Sequence, residues 1–273
     1  MRFILFLTTF LCLCGSARAD VEFVELPSDD KPVPAALYRP VGSGPFPVVV
    51  AMHGCEGLKA SNGAIRPPLD EWGNRLAAGG FLVLFPDSYS SRGLTAQCRD
   101  KVPKIRPDRE RVTDIRAARE WLQQQDFVRK DRIALLGWDN GAIAVLWAIR
   151  PNLEPDDEHP DFRSAAVLYP GCGRLNETAW STRVPTLILI GALDDWTPAK
   201  SCEQMVAGAR GRSARAVMVK YRGAYHAFDR DNQPVRQVRG VAFSSNDSGR
   251  VTLGTNLEAR ADAFKRIPQW FSR

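Results

Sequence analysis

Three side chains with complementary chemistry stand far apart in this 273-residue chain: Asp139, Asp194 and His226. Asp139 is the middle residue of Gly137-Trp138-Asp139-Asn140-Gly141, which follows the apolar run 131–136 and precedes the helix-like segment 142–149. Glycines on both sides of a strand-to-helix turn let backbone approach backbone. They hold the middle side chain above the sheet and aim a helix N-terminus at it. Such a turn usually presents a serine or cysteine nucleophile, and here it presents a carboxylate. The competing reading makes Asp139 a simple helix N-cap. Asp194, in Ala-Leu-Asp-Asp-Trp-Thr-Pro, follows the strand-like run 186–191 and is placed to orient a histidine. Asp195 is the alternative; the four-residue spacing to Pro198 favours Asp194. His226, one of three histidines, comes last in Tyr-Arg-Gly-Ala-Tyr-His-Ala-Phe-Asp and is the candidate base.

A fourth element is His53-Gly54-Cys55-Glu56-Gly57, directly after an apolar run. A turn of this kind supplies one backbone N–H to an oxyanion hole, and the residue after the nucleophile supplies the second. Those donors are Cys55 and Asn140, which leaves His53 a mainly structural role and places Cys55 away from the nucleophile position. Around them, Glu56, Tyr89, Arg92, Trp138 and Trp196 are candidate substrate contacts. Arg92 at a pocket mouth suits a small anionic substrate, and a surface arginine or a local ion pair is the competing reading.

The elements that must carry these residues alternate. Residues 21–26 and 35–38 read as opening strands, and 47–52, 81–86, 132–137, 165–170, 186–191 and 216–221 as further strands. Continuous apolar runs are expected of strands covered on both faces. Helices are expected over 67–80, where Pro starts and Gly ends the segment, over 108–124, and at the C-terminus, where Leu257, Ala261, Phe264, Ile267 and Phe271 share a face. The pattern predicts an α/β fold: a mostly parallel central sheet with helices on both faces and no large lid domain. Polar stretches at 151–162, with His159, and at 233–255 read as irregular.

The segments HGCEGL, FPDSYSSRG, RIALLGWDNG, YPGCG, GALDDWTPAKSC and YHAFD, in this order and spacing, resemble the dienelactone hydrolase family of α/β hydrolases, in its exported bacterial form. The resemblance runs from about Val48 to the C-terminus. It implies a lid-less α/β-hydrolase domain that opens lactones or cleaves small esters without a cofactor, with Asp139, Asp194 and His226 in the triad positions. The departure is at Asp139, where the family carries Cys or Ser. A carboxylate attacking an ester carbonyl would give a high-energy anhydride. Attack at a saturated carbon would give an alkyl ester that a histidine-activated water can hydrolyse. Haloalkane dehalogenases and soluble epoxide hydrolases, of the same superfamily, use aspartate at this turn. Epoxide opening also needs an acid, for which Tyr89 and Tyr225 are the candidates; halide release needs N–H donors such as Trp138 and Trp196; packing is the competing role of all four. The remaining alternative is a binding protein that has lost its nucleophile.

Residues 1–19 have an early Arg2, an apolar run from Phe3 to Cys14 and Ala17-Arg18-Ala19, which predicts a secretory signal peptide cleaved before Asp20. The expected mature segment, 20–273, suits one domain. Removing Arg2 and Arg18 lowers the formal charge from +6 to +4, with no basic run to suggest nucleic acid. The expected partner is a small molecule, with no nucleic acid and no membrane after cleavage, in a periplasmic or secreted location. No metal-ligand spacing stands out. Four cysteines remain. They permit two disulfides in three connectivities, Cys172–Cys202 ranked first and Cys55–Cys98 second, with four free thiols as the alternative.

Overall fold

The computed structural model describes residues 20–28, 31–155 and 158–273. The expected signal peptide, 1–19, therefore lies outside the described residues. Eight strands form the central sheet: β1 (Asp20–Leu26), β2 (Val33–Arg39), β3 (Phe46–Met52), β4 (Leu82–Pro86), β5 (Val128–Trp138), β6 (Ser164–Leu168), β7 (Thr186–Gly191) and β8 (Ala216–Tyr221). Their order is β1-β2-β4-β3-β5-β6-β7-β8, antiparallel only at β1/β2 and β2/β4. Every residue of β4, β6 and β7 is buried, as the unbroken apolar runs require of strands covered on both faces.

The helices are α1 (Pro67–Ala78), α2 (Glu110–Gln123), α3 (Asn140–Ala148), α4 (Gly173–Glu177), α5 (Ala199–Ala209) and α6 (Leu257–Phe271). From β3 the chain steps through α1 to β4 on one side. It then returns through α2 to β5 on the other side of β3. Right-handed crossovers in opposite directions put α1 and α2 on opposite faces. The steps through α3, α4 and α5 continue in the second direction, so these helices join the α2 face. α6 packs back on α1, with the Phe264 ring 4.3 Å from Trp72.

The reversal of direction at β3 leaves a crevice beyond the carboxyl ends of β3 and β5. There Met52 pairs with Gly137, so the turns leaving β3 and β5 emerge side by side. The stretch 233–255 is not irregular throughout. It contains a two-stranded ribbon, β9 (Arg236–Arg239) and β10 (Arg250–Leu253), whose Val251 and Leu253 are buried. Its polar exposed positions hide the strand period from a hydrophobicity reading.

Candidate active site

Gly137 and Gly141 allow the turn after β5 to exist. A Cβ at Gly137 would sit 2.7 Å from the Gly141 carbonyl oxygen. One at Gly141 would sit 2.5 Å from the His53 carbonyl oxygen and closer still to that of Met52. The turn forces Asp139 to φ 49°, ψ −116°, a conformation that costs a non-glycine residue about 1–3 kcal/mol. Asp139 precedes α3, yet its side chain caps no N–H of that helix. Its Oδ2 instead accepts a hydrogen bond from the Cys55 N–H at 2.8 Å. The carboxylate therefore reaches across to the turn after β3 and takes one of the two expected oxyanion donors.

Asp194 and His226 leave the neighbouring ends of β7 and β8. His226 Nδ1 lies 2.9 Å from Asp194 Oδ2, and both side chains are buried. Asp194 is itself fixed: its Oδ1 accepts from the N–H groups of Trp196 and Thr197, and its Oδ2 from the Thr197 hydroxyl at 3.0 Å. Asp195 points elsewhere and accepts from the Thr252 N–H and hydroxyl of β10. Burial pulls the pKa of His226 down. The charge and hydrogen bond of Asp194, with Asp139 adding its charge, outweigh that and leave it raised above 6.5. The ring packs between Tyr169 and Trp196, with centroids 4.4 and 4.7 Å away.

A cavity of about 550 Å³ opens over Asp139 and His226 and is also lined by Glu56, Trp138 and Trp196. Two expected contacts do not reach it. Arg92 is a buried structural cation whose two terminal nitrogens meet the Asp114 carboxylate at 3.0 and 2.8 Å, because α2 presents that acid beneath the loop after β4. Tyr89 is buried against the His53 ring, 4.7 Å between centroids. Tyr225 is half-buried and outside the lining. Trp138 is present, but its indole N–H is committed to Asp229 Oδ2 at 3.0 Å, which leaves it no proton for a halide. The loop with His159 gives its carbonyl to Arg119.

Several lining residues escaped the sequence reading. Asp229, three residues after His226, is a buried carboxylate held by Trp72 and Trp138 at Oδ2 and by the Tyr169 hydroxyl at Oδ1. Burial and the Asp229 charge push the Tyr169 hydroxyl well above 10, so it stays a donor. Arg230 forms a 2.6 Å ion pair with Glu56, and its Nε is buried with no hydrogen-bond partner. Burial would raise the Glu56 carboxyl, but the Arg230 charge overrides it and leaves the pKa lowered. Arg66 and Arg236 add two more guanidinium groups to the wall. Only their positions after the landmarks, such as Arg230 four residues beyond His226, hinted at any of these. Both ranked cysteine pairs are bridged, Cys172 to Cys202 and Cys55 to Cys98. Among the described residues no cluster of three or more His, Cys, Asp or Glu side chains is placed to hold a metal ion.

A strand-turn-helix carrying the central acid, a buried acid–histidine pair after later strands, and a site at the sheet's switch point define an α/β hydrolase. The model of the dienelactone hydrolase family matches residues 33–273, and the chain belongs to that family. A Yersinia pestis protein named carboxymethylenebutenolidase is 24% identical over 270 residues, covering 91% of this chain and 86% of its own. An Escherichia coli K12 protein of the same name is 27% identical over 230 residues, 78% of this chain and 79% of its own. Among solved structures, a dienelactone hydrolase from Klebsiella pneumoniae superposes with TM-score 0.71 at 21% identity, covering 94% of this chain and all of its own. A dienelactone hydrolase-like promiscuous phosphotriesterase from metagenomic libraries gives 0.72 at 16% identity, over 94% and 98%. These two establish the fold.

Proposed function

We propose that this hydrolase is an exported enzyme that cleaves a small, anionic ester, lactone or related electrophile by displacement at a saturated carbon, with Asp139 as nucleophile. The observation that carries this reading is the 2.8 Å bond from the Cys55 N–H to Asp139 Oδ2. A carboxylate oxygen in that position competes with a substrate carbonyl for the oxyanion hole, which disfavours ordinary acyl transfer. It is also where the carbonyl oxygen of an aspartyl ester belongs.

In the first step the other carboxylate oxygen attacks carbon, and the bond to the leaving group breaks with its electron pair. The product is an alkyl ester on Asp139. Then His226, oriented by Asp194, takes a proton from water. The hydroxide attacks the Asp139 carboxyl carbon, and the charge gathering on Oδ2 is met by the N–H groups of Cys55 and Asn140. Collapse expels the alkoxide, which recovers the proton from His226 and leaves Asp139 as the acid with one oxygen from water; that acid releases its remaining proton to solvent and returns as a carboxylate.

Among the described residues no free phenol lines the cavity, since Tyr169 donates to Asp229. That favours leaving groups stable as anions, a carboxylate or a halide, over an epoxide oxygen. Arg66 and Arg236 bring guanidinium groups to the wall beside the Arg230–Glu56 ion pair and support a substrate that bears a carboxylate, against the charges of Glu71 and Asp231 on the same wall. The relatives' name, carboxymethylenebutenolidase, describes a carboxylate-bearing lactone and agrees with that charge. The signal-like N-terminus and two disulfides support export.

His226→Ala should stop the second step and spare the first. Incubated with a panel of 2-haloalkanoates, β-lactones and small esters, it should accumulate one alkyl adduct on the peptide containing Asp139. If no substrate leaves an adduct, while Asp139→Ser gains esterase activity that the parent lacks, the protein is instead a binding protein that has lost its nucleophile.

A further inference from the structure

We infer that Arg111 is the positioning residue of the oxyanion hole, one guanidinium that holds both of its donor turns in register. The inference rests on Cys55 and Asn140 being the donors, as proposed above. It does not depend on whether Asp139 or a serine occupies the nucleophile position.

Arg111 is the second residue of α2 and is fully buried. Its Nη1 donates to Asn140 Oδ1 at 2.7 Å, and its Nη2 donates to the His53 carbonyl oxygen at 2.6 Å. The first contact grips the turn after β5 and the second the turn after β3. Among the described residues Arg92, nearby, meets the Asp114 carboxylate, whereas no carboxylate pairs with Arg111. A buried charge lacking a counter-ion is expensive. Stability alone does not account for placing it between two turns of a site.

The grip extends through His53 to the Cys55 donor. The Ser88 N–H donates to His53 Nε2 at 3.3 Å, which puts the ring proton on Nδ1. That Nδ1–H then donates to the Gly54 carbonyl at 2.9 Å. The Gly54 carbonyl and the Cys55 N–H belong to the same peptide unit and point in opposite directions in a trans peptide. Holding the carbonyl therefore aims the N–H at Asp139. Burial, aided by the Arg111 charge, holds His53 well below 6.5, so the ring remains neutral and keeps its acceptor nitrogen. Arg111 thus fixes the His53 carbonyl, helps keep the His53 ring neutral so that the Ser88 N–H can hold the tautomer that orients the Cys55 N–H, and secures Asn140.

The test compares Arg111→Met and Arg111→Lys in the parent and in an Asp139→Ser background, with folded enzyme quantified by circular dichroism. In whichever background turns over, Arg111→Met should lower kcat about ten- to a hundredfold with KM changed less than about twofold, since misplacement of donors acts on the transition state. Arg111→Lys, which reaches one acceptor at a time, should fall between. Asn140→Ala, which removes one contact and leaves the buried charge, should blunt the Arg111→Met effect in a double-mutant cycle. Should Arg111→Met not fold, that cycle is run with Arg111→Lys. Independently of turnover, the Cys55 amide proton should move upfield in the NMR spectrum of Arg111→Lys as its bond to Asp139 lengthens. A kcat per folded enzyme within twofold of the parent, or a Cys55 amide that does not move, overturns the inference.

Discussion

Replacing Gly141 by alanine adds one methyl group at the most crowded point of the site. The new Cβ would stand 2.5 Å from the His53 carbonyl oxygen and closer to that of Met52, whereas real Cβ atoms essentially never come within 3.0 Å of a neighbour. Both obstacles are backbone, so no side chain can swing aside. The first turn of α3 must retreat from β3 by at least 0.5 Å to clear His53, and further to clear Met52. Overpacking of this kind costs about 1–3 kcal/mol. The effect on chemistry should be larger. Gly141 follows Asn140, and the retreat pulls Asp139 from the Cys55 N–H that it meets at 2.8 Å. A misplacement near 1 Å costs about a hundredfold in rate. Gly208→Ala is the matched control: it lies in α5, with nothing within 4 Å of a Cβ. It should stabilise by about 0.5 kcal/mol, through propensity alone. Urea unfolding gives the stabilities, and adduct formation in the His226→Ala background gives the rate of the first step. Equal stabilities and equal rates in Gly141→Ala and Gly208→Ala would show that crowding at Gly141 does not reach Asp139.

The raised pKa of His226 gives stability and activity opposite pH trends. Its ion pair stabilises fully below the unfolded value near 6.5 and is lost as pH rises through the folded value, whereas the neutral base appears only above it. The rising limb of kcat should therefore lie above pH 6.5, and Asp194→Asn should move it to lower pH while reducing kcat by up to about 10⁴-fold; a limb unmoved in that variant would show that another group titrates. Asp229→Leu, which strands two indole N–H groups and the Tyr169 hydroxyl, should lose about 3 kcal/mol or more in urea unfolding, and Asp229→Asn much less. Equal losses would mean that the three donors find other partners. Removing the bridge between Cys55 and Cys98, 43 residues apart, as the double serine variant should cost about 4 kcal/mol by chain entropy, with a fall in kcat because Cys55 carries the donor N–H. A Tm fall with unchanged kcat would separate the bridge from the site.

The places of Asp139, Asp194 and His226 in the fold were legible because each combines an unusual residue with a strong local signal: glycines around Asp139, and an apolar strand shortly before Asp194 and before His226. The cysteine pairing was legible for a related reason, since Cys172 and Cys202 follow neighbouring strand ends. Of the readings of Arg92, the local ion pair holds and the pocket mouth does not; sequence position could not decide between them because Asp114 lies 22 residues away on another element. Arg111 and Asp229 were missed for the converse reason. Their partners, His53 and Asn140 for one, Trp72, Trp138 and Tyr169 for the other, are brought together only by the packing of α1 and α2 against the sheet. The ribbon of β9 and β10 was missed because its alternation is carried by two valines and a leucine among arginines.

One turnover in oxygen-18 water, with enzyme in excess over substrate, decides whether Asp139 is alkylated and then hydrolysed. Covalent catalysis predicts one heavy oxygen in the peptide containing Asp139, and a product alcohol whose new oxygen is light because it came from the enzyme. A light Asp139 beside product that has taken up the heavy oxygen in this first turnover would assign the attack to water and rule out the alkyl-enzyme.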